Sequence, residues 1–410
     1  MDAQHIIDLE QKYLVQNYKR PKFVLEQGEG VYLFDSEGKK YLDMVSGIAV
    51  SALGYGDEGM HEAMLKAASK PLHVSNLYHT AGHVLLAEKM VNSSFADRVF
   101  FCNSGTEAVE TALKFARKWA RTTHAHSNKY EMVSFSHAFH GRSMGALSTT
   151  AKAKYRTSFE PLIGGVHFAE FNDLESAAAL IGANTAGVIV EPVQGEGGIM
   201  PARAEFLAGL RKLCDQHHAL LIFDEIQCGM GRTGTMWAHE AAGVTPDIMS
   251  VAKPLGGGLP IGATLVTERV ADTIKPGDHG STFGGSPFVT SVACYVFDRV
   301  ADPEFLHHVK DVGNYLGERL SELLDQPAVR EIRGRGLMWG IELHEAYSTA
   351  DMVASGYENG LLLVGAGRNT IRLVPPLVIE REHVDQLTEK LAVILTVSPL
   401  SNISSKSRNM

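Results

Sequence analysis

Three clusters of polar residues each follow a short apolar run, and their residue types could do chemistry. Asp224 follows LLIF, Lys253 follows SVA, and the polar run from Asn103 to Glu107 follows VFF. A lysine becomes a useful nucleophile when it is desolvated or lies beside another cation. Amides and hydroxyls at the start of a helix form an anion site that suits a phosphate group. The three candidates are therefore a reactive amine, a buried carboxylate and an anion site.

Each cluster also has an ordinary structural explanation. The run from Asn103 to Glu107 could be a simple helix N-cap, followed by Glu110 and Lys114 as a helical ion pair. Lys253 could be a solvated lysine at the mouth of a loop. The glycines that follow it at 256, 257 and 258 would, however, let the backbone approach a bound group closely. Taken one at a time, the clusters leave both explanations open.

Other classes of site are excluded by residues that the chain lacks. The segment LLIFDE resembles a strand of nucleotide hydrolases, but no G-x-x-x-x-G-K-[ST] loop occurs in the chain. Gly195, Gly197 and Gly198 suggest a dinucleotide site, but Met200 stands where the third glycine of G-x-G-x-x-G belongs. The histidines at 79 and 83 have no HExxH pattern and no third ligand, so we expect no metal site.

The middle of the chain alternates short apolar runs with helical periodicity. The runs at residues 186–193, 219–227 and 247–252 are typical of strands buried on both faces. Between the first two, apolar residues from Phe206 to His217 recur at helical spacing. Strand, helix and strand in this order predict a parallel sheet with right-handed crossovers. The chemistry of such an α/β domain is expected at the carboxyl ends of its strands.

The two ends of the chain show other patterns. A long helical stretch from Val289 to Leu324 precedes short strands and a final helix, and the first sixty residues contain a helix and a hairpin that turns at residues 35–38. We predict a large domain at residues 61–287 and a small α+β domain at residues 288–400. Residues 1–60 would pack with the small domain, and residues 401–410 would form a disordered tail.

Composition limits the partners and the compartment. The net charge of −9 argues against a nucleic-acid or anionic-membrane partner, because both need a basic face. No apolar run is long enough for a membrane span, and the segment MDAQHIIDLEQKYL has no secretory signal. The four cysteines lack paired spacing, which indicates free thiols. We expect a cytoplasmic location. A mature form without its presequence, in an organelle matrix, is the alternative.

The three polar clusters, taken together and in chain order with the segments around them, resemble the class III aminotransferases of fold type I. The resemblance extends from about Tyr18 to Leu395. It implies an α/β fold, with a mostly parallel central sheet in a large domain and a smaller α+β domain built from both chain ends. It also implies pyridoxal 5′-phosphate as the cofactor. The runs that carry it are YLDMVSGIAVSALGY, FFCNSGTEAVETALKFARKW, AFHGRSMGALS, VIVEPVQGEGG, LLIFDEIQCGMGRTG, PDIMSVAKPLGGGLPIGA, GSTFGGSP and IRLVPPLV.

The resemblance assigns roles to the cofactor-binding residues. Lys253 would hold the cofactor as a Schiff base and, once displaced by substrate, would move the proton during transfer. Asp224 would pair with the ring nitrogen and keep it protonated, so that the ring acts as an electron sink. The other implied contacts are Ser104, Gly105 and Thr106 to the phosphate, Phe139 to the ring face and Gln227 to the phenolic oxygen.

The same resemblance implies two subunits. In this family the residue at the position of Thr282 contacts the phosphate of the neighbouring subunit. We therefore expect a homodimer with shared active sites. No further partner is expected beyond the small-molecule substrates.

Two arginines match the family's substrate contacts. Arg372 would grip the α-carboxylate of glutamate in a bidentate contact. Arg142 would bind the other carboxylate of glutamate, or the α-carboxylate of an ornithine-type donor. Glu196 would pair with Arg372 when the donor is bound, so that one pocket accepts two substrates of different length.

Within the class, the segments QCGMGRTG and FHGR are most similar to the subfamily that acts on N-acetylornithine. The resemblance thus implies a ping-pong transfer from N-acetylornithine to 2-oxoglutarate, which gives N-acetylglutamate 5-semialdehyde and glutamate in arginine biosynthesis. Ornithine, 4-aminobutyrate, succinylornithine and a broad range of ω-amines are alternative donors. A catalytically silent relative that only binds ligands is a more remote alternative.

Overall fold

The computed structural model describes residues 1–125 and 128–396, so the tail predicted at residues 401–410 lies outside the described residues. Short 3₁₀ turns occur at Thr157–Phe159, Ala238–Ala242 and Lys253–Gly256. The α-helices are α1 (Ala3–Tyr13), α2 (Ser46–Ala49), α3 (Glu58–Ala68), α4 (Ala81–Asn92), α5 (Gly105–Thr123), α6 (Met144–Thr149), α7 (Ala153–Arg156), α8 (Leu174–Leu180), α9 (Ala204–Gln216), α10 (Glu268–Ala271), α11 (Pro287–Ala301), α12 (Pro303–Ser321), α13 (Thr349–Glu358) and α14 (Arg381–Ile394).

Among the described residues, the strands form a central sheet, two four-stranded sheets nearer the chain ends and one two-stranded ribbon. In chain order they are β1 (Leu25–Glu29), β2 (Tyr32–Asp35), β3 (Lys40–Asp43), β4 (Arg98–Cys102), β5 (Glu131–Phe135), β6 (Val166–Ala169), β7 (Thr185–Val190), β8 (Val193–Gln194), β9 (Met200–Pro201), β10 (Leu220–Asp224), β11 (Ile248–Val251), β12 (Gly262–Val266), β13 (Val329–Arg335), β14 (Met338–Leu343), β15 (Leu361–Leu362), β16 (Val364–Ala366) and β17 (Thr370–Leu373).

A mostly parallel sheet forms the centre of the molecule. Its strands, as far as the structure describes them, follow the order β4-β12-β11-β10-β7-β5-β6. Strand β12 runs antiparallel to both of its neighbours, whereas β11, β10, β7, β5 and β6 are parallel. The predicted α/β architecture with a mostly parallel sheet is confirmed. The carboxyl ends of the parallel strands therefore lie along one edge, where loops can bring side chains together.

Helices cover both faces of this sheet, which explains the continuous apolar runs. Leu220 and Ile222 of β10 pack with α5, whereas Leu221 and Phe223 pack on the other side with α9. Successive side chains of a strand point to opposite faces. A strand that is covered on both sides consequently needs apolar residues at every position.

Helix α5 begins where the sequence predicts a helix start. Ser104 is its N-cap, and the hydroxyl accepts a hydrogen bond from the Glu107 amide at 3.3 Å. The predicted apolar face, which includes Ala108, Phe115 and Trp119, is buried. The positive end of the helix dipole is thereby placed at the carboxyl edge of the sheet.

The chain beyond α11 forms a second, antiparallel sheet in the order β13-β14-β17-β16. The N-terminal hairpin of β2 and β3 joins the C-terminal part through β15, where Leu42 lies beside Leu361. The first sixty residues and the C-terminal part therefore share a sheet. The domain boundaries at residues 60 and 287 stay predictions.

The single helical stretch predicted from Val289 to Leu324 is wrong. It consists of α11 and α12, which meet at Asp302. Pro303 cannot continue a helix, because it lacks an amide hydrogen and clashes with the preceding turn, but it fits the first position of a new one. The Asp302 carboxylate caps that helix by accepting from the amides of Glu304 and Phe305, at 2.8 and 3.1 Å.

In the part of the chain that the structure describes, no helix is both long and apolar enough to cross a membrane.

Candidate active site

The carboxyl edge of the central sheet opens into a cavity of about 410 Å³. Asp224 ends β10, Lys253 lies just beyond β11, and Ser104 stands between β4 and α5. The three clusters singled out in the sequence thus meet in one place. The polar side chains that line the cavity are Asn103, Ser104, Thr106, His140, Arg142, Glu191, Asp224, Gln227 and Lys253.

Lys253 lies half-buried at this cavity. Burial lowers the pKa of its amine to about 8, and the positive charge of Arg372 adds to the effect, while nearby carboxylates oppose it. An ordinary solvated lysine stays almost fully charged at neutral pH, because its pKa is near 10.4. At a pKa of about 8, more of the amine is neutral and can act as a nucleophile or a base. The environment therefore favours the chemical explanation of Lys253 over the solvated one.

Asp224 is buried and paired with a histidine that the sequence analysis missed. Its Oδ2 lies 2.7 Å from Nδ1 of His140, and its Oδ1 accepts from the Ile226 amide at 3.1 Å. Burial alone would lower the pKa of His140, but the hydrogen bond to Asp224 and the charges of Asp224 and Glu191 raise it above its ordinary value of 6.5. The hydrogen bond to Asp224 therefore favours the protonated form of His140. Its only signal in the sequence was a histidine next to Phe139.

Glu191 is a second buried acid that the sequence analysis missed. It follows β7, as Asp224 ends β10, so the same signal of a carboxylate after an apolar run was present. Its carboxylate accepts from the amides of Phe139 and Gly195, both at 3.2 Å. Burial raises its pKa above the ordinary value of 4.5, with the charge of His140 opposing this and that of Asp224 adding to it.

Residues 104–106 form a narrow cradle at the N-terminus of α5. A side chain on Gly262 would come within 2.5 Å of the Ser104 carbonyl oxygen, and one on Gly105 would contact Ile226 at 3.0 Å. These two glycines therefore let the backbone segments approach one another. Small polar residues at the positive end of a helix suit a phosphate group.

Arg142 lies against two aromatic rings beside the cavity. Its guanidinium is 3.7 Å from the ring centroid of Tyr155 and 5.5 Å from that of Phe139. The two rings meet edge to face at 5.9 Å. A guanidinium held on an aromatic face keeps its in-plane N–H groups aimed outward, which suits bidentate contact with a carboxylate.

Arg372 is a buried cation behind Gln227. Its Nη1 donates to Glu196 at 3.1 Å and to the Gln227 carbonyl oxygen at 3.2 Å. Burial lowers the pKa of Arg372, and the charge of Glu196 opposes that effect. A buried cation is costly without a partner, so Glu196 stabilises it here. A quarter of the Glu196 side chain (25%) is exposed to solvent, so this side chain has space to move and another carboxylate can replace it as the partner of Arg372.

Three predicted site residues do not line this cavity: Arg372 adjoins it through Gln227, Glu196 pairs with Arg372, and Thr282 lies apart from it. Thr282 is exposed on the loop between α10 and α11, beside His73 and Tyr78. The loop is held to α5 through His279, whose Nε2 lies 3.0 Å from the Thr111 hydroxyl. The structure thus brings together the other predicted residues, with Glu196 and Arg372 next to Gln227. The role of each residue stays a prediction.

The chain is similar to known aminotransferases over nearly its whole length. Residues 13–395 match the family model described as aminotransferase class-III. An acetylornithine aminotransferase, mitochondrial, from Alnus glutinosa is 48% identical over 394 residues, which cover 95% of this chain and 87% of the relative. An acetylornithine aminotransferase from Clostridium acetobutylicum is 44% identical over 380 residues, 92% of this chain and 97% of the relative. The chain belongs to the class III aminotransferase family.

Solved structures agree in fold. The N-acetylornithine aminotransferase from Stenotrophomonas maltophilia K279a superimposes with a TM-score of 0.82 and 37% identity, over 95% of this chain and 98% of that one. Class III aminotransferases depend on pyridoxal 5′-phosphate, and so does this chain. The cavity fits that group, since it offers a phosphate cradle, a flat aromatic ring, a buried carboxylate and an amine of lowered pKa. Among the described residues, no cluster of His, Cys, Asp or Glu is placed to hold a metal ion.

Proposed function

We propose that this aminotransferase moves the terminal amino group of N-acetylornithine to 2-oxoglutarate, giving N-acetylglutamate 5-semialdehyde and glutamate. Relatives of that name match nearly the whole chain. The observation that carries the proposal is the Glu196–Arg372 pair, with Arg142 as a second arginine beside the same cavity. A site with one permanent and one concealable cation suits two substrates that differ in carboxylate number.

Residues of the cavity would hold the cofactor at four points besides Lys253. The cradle at residues 104–106 would hold the phosphate, Phe139 the ring face, and Gln227 the phenolic oxygen. Asp224 would hold the ring nitrogen in its protonated form, and His140 keeps that carboxylate in place. Pyridoxal 5′-phosphate, when bound, supplies an electron sink for the carbon next to the reacting nitrogen.

Lys253 would hold the cofactor through its amine. Once substrate has displaced it, the free amine of Lys253 would transfer protons. The lowered pKa of about 8 leaves part of Nζ neutral near neutral pH, so the nitrogen can accept a proton from the substrate carbon and return it elsewhere.

The arginines would select the substrate for each half-reaction. In the donor half, Arg142 binds the α-carboxylate of N-acetylornithine while Glu196 neutralises Arg372. The acylated α-nitrogen carries no charge, so the pocket needs no counter-charge for it. In the second half, Arg142 and Arg372 bind the two carboxylates of 2-oxoglutarate or glutamate, and Glu196 moves away. Alternating halves of this kind give ping-pong kinetics.

A homodimer with shared sites is part of the proposal. Thr282 is exposed and outside its own cavity, and large apolar side chains are exposed nearby, namely Leu77 (84%), Tyr78 (70%) and Phe283 (63%). A second copy of the chain would cover this apolar patch and would bring Thr282 to the active site of that copy. We also propose a cytoplasmic location. The free cysteines support it, because thiols stay reduced in that compartment.

Reductive trapping tests the cofactor link. Sodium borohydride followed by peptide mass spectrometry should place a pyridoxyl group on Lys253, and Lys253→Ala should lose both the label and turnover. Lys212→Ala, at an exposed lysine of α9 that does not line the cavity, is the matched control and should keep both. A colourless protein with full transaminase activity would refute the proposal.

A panel of donors tests the substrate. N-acetylornithine should be preferred over ornithine and 4-aminobutyrate with 2-oxoglutarate as acceptor. A preference for 4-aminobutyrate would move the chain to another group of the class, and no transamination with any donor would favour a silent binding protein.

A further inference from the structure

Tyr155 lies between two groups that the proposed function assigns to different substrates. It belongs to α7, a short helix that the sequence analysis did not connect with the site. Its ring supports the Arg142 guanidinium at 3.7 Å, and its hydroxyl donates to Oε1 of Glu196 at 3.3 Å. The other oxygen of Glu196 accepts from Arg372 at 3.1 Å. Tyr155 therefore contacts the donor-binding arginine and the carboxylate that conceals the glutamate-binding one.

A second cavity, of about 500 Å³, adjoins this arrangement. Glu196 lines it together with the cationic side chains of Lys152 and Arg368. The ammonium of Lys152 lies 5.2 Å from the ring centroid of Tyr155. The carboxylate of Glu196 thus stands between a buried cation on one side and a space lined with two cations on the other.

We propose that Tyr155 is a positioning residue for a two-position Glu196. The inference rests on the proposed function. The Tyr155 hydroxyl keeps the Glu196 carboxylate in its ion pair with Arg372 during the half-reaction with N-acetylornithine. When the α-carboxylate of glutamate takes Arg372, Glu196 moves into the second cavity, where Lys152 replaces the lost positive partner. Specificity is then set by the balance between two hydrogen-bonding positions of one carboxylate.

The charges support this assignment. A carboxylate displaced from Arg372 into an apolar space would be costly to desolvate, but the cavity carries Lys152 as a partner, whereas Arg368 is already paired with Glu345 at 3.0 Å. Each hydroxyl or cation that contacts Glu196 in only one position shifts the balance toward that position. Tyr155 and Lys152 should therefore act in opposite directions, which a general effect on folding would not produce.

The experiment measures each half-reaction separately, by the spectral change of the holoenzyme with N-acetylornithine or with glutamate alone. Tyr155→Phe keeps the ring under Arg142 and removes only the hydroxyl. It should slow the N-acetylornithine half-reaction roughly five- to ten-fold, the size expected for a partly exposed hydrogen bond to a charged group. The glutamate half-reaction should be unchanged or faster. Lys152→Met should instead weaken the glutamate half-reaction a few-fold, mainly through KM, and spare the donor half.

Tyr315→Phe is the matched control, because its hydroxyl also donates to a carboxylate, that of Asp385 at 2.6 Å, on another part of the molecule. It should leave both half-reactions unchanged. If Tyr155→Phe slows both halves equally or neither, or if Lys152→Met acts on the donor half, the inference fails while the proposed function stands. A wild-type enzyme that does not react with N-acetylornithine at all overturns the proposed function instead.

Discussion

His140, Glu191 and Asp224 form a set of buried polar groups whose protonation states depend on one another. The carboxylate of Asp224 raises the pKa of both neighbours, but with opposite consequences, because it favours the charged form of His140 and the neutral form of Glu191. A positive charge on His140 lies 2.7 Å from the Asp224 carboxylate, the group that is proposed to pair with the ring nitrogen of the cofactor. His140 and Glu191, which the sequence analysis missed, thus form the polar surroundings of Asp224, which it found.

The His140–Asp224 pair leads to a prediction for stability against pH. The pKa of His140 in the folded protein lies above 6.5, so its stabilising effect is complete below about pH 6.5 and declines as the pH rises through the folded-state pKa. His140→Gln should therefore lower the free energy of unfolding by about 1.5–3 kcal/mol at pH 6, and by less at pH 9. Urea unfolding of both proteins, at one fixed cofactor concentration, measures the difference.

His167→Gln is a suitable control for this experiment. His167 is an exposed histidine with Glu131 at 3.6 Å, and its loss should cost less than about 1 kcal/mol. A penalty for His140→Gln that grows with rising pH would contradict the assigned charge states.

At the scale of elements, the loop at residues 229–234 joins the central sheet to the C-terminal part. Arg232 is buried there, and its Nη1 donates to the carbonyl oxygens of Leu337 at 3.0 Å and Pro375 at 2.6 Å. The Leu337 amide in turn donates to the Arg232 carbonyl oxygen at 2.9 Å. Pro375 follows β17, the strand that carries Arg372.

We expect Arg232→Met to destabilise the protein by roughly 3 kcal/mol, because two buried carbonyl groups lose their donor and the nearby buried carboxylate of Asp43 loses a counter-charge. Arg330→Met removes an exposed ion pair to Glu342 and should cost at most about 1 kcal/mol. Thermal and urea unfolding of the two variants give the comparison. Equally small losses of unfolding free energy in the two variants would show that the Arg232 contacts do not stabilise the packing of this loop against the C-terminal part.

At the scale of the whole molecule, the proposed dimer can be tested by complementation. Thr282→Asp places a negative charge where the partner's phosphate is proposed to lie, and Lys253→Ala removes the amine. Each homodimer should be inactive. A hybrid made by co-expression with two affinity tags combines one intact Lys253 with one intact Thr282 from the other chain, so it should regain roughly half of the wild-type activity.

The same hybrid decides between shared and separate sites. If Thr282 served its own chain, no site of the hybrid would be complete, and activity would stay absent. Size-exclusion chromatography of the wild-type protein provides the simpler check, since a monomer of 44.5 kDa with full activity would rule the dimer out.

Local features of the fold were predictable from the sequence because each rests on neighbouring residues. The buried strands appear as apolar runs, α5 appears as a helical stripe after a serine cap, and Asp224 and Lys253 appear as polar residues at strand ends. Parallel strands bring such ends to one edge, so their meeting could be expected as well. The break between α11 and α12 was missed although Pro303 marks it, because the apolar periodicity continues on both sides of it.

The sequence by itself therefore determined the class of fold and marked Lys253 and Asp224 as polar residues at strand ends, whereas the surroundings of those residues were decided by the tertiary structure. His140 meets Asp224 across 84 positions of the chain. The pairing of Arg372 with Glu196, 176 positions apart, was expected only from the family resemblance, and the packing of the chain brings the two side chains together. No spacing rule relates residues so far apart, since their contact depends on how the helices, sheets and loops pack. The lowered pKa of Lys253 and the bridging place of Tyr155 have the same origin, because burial and charge are properties of the assembled cavity.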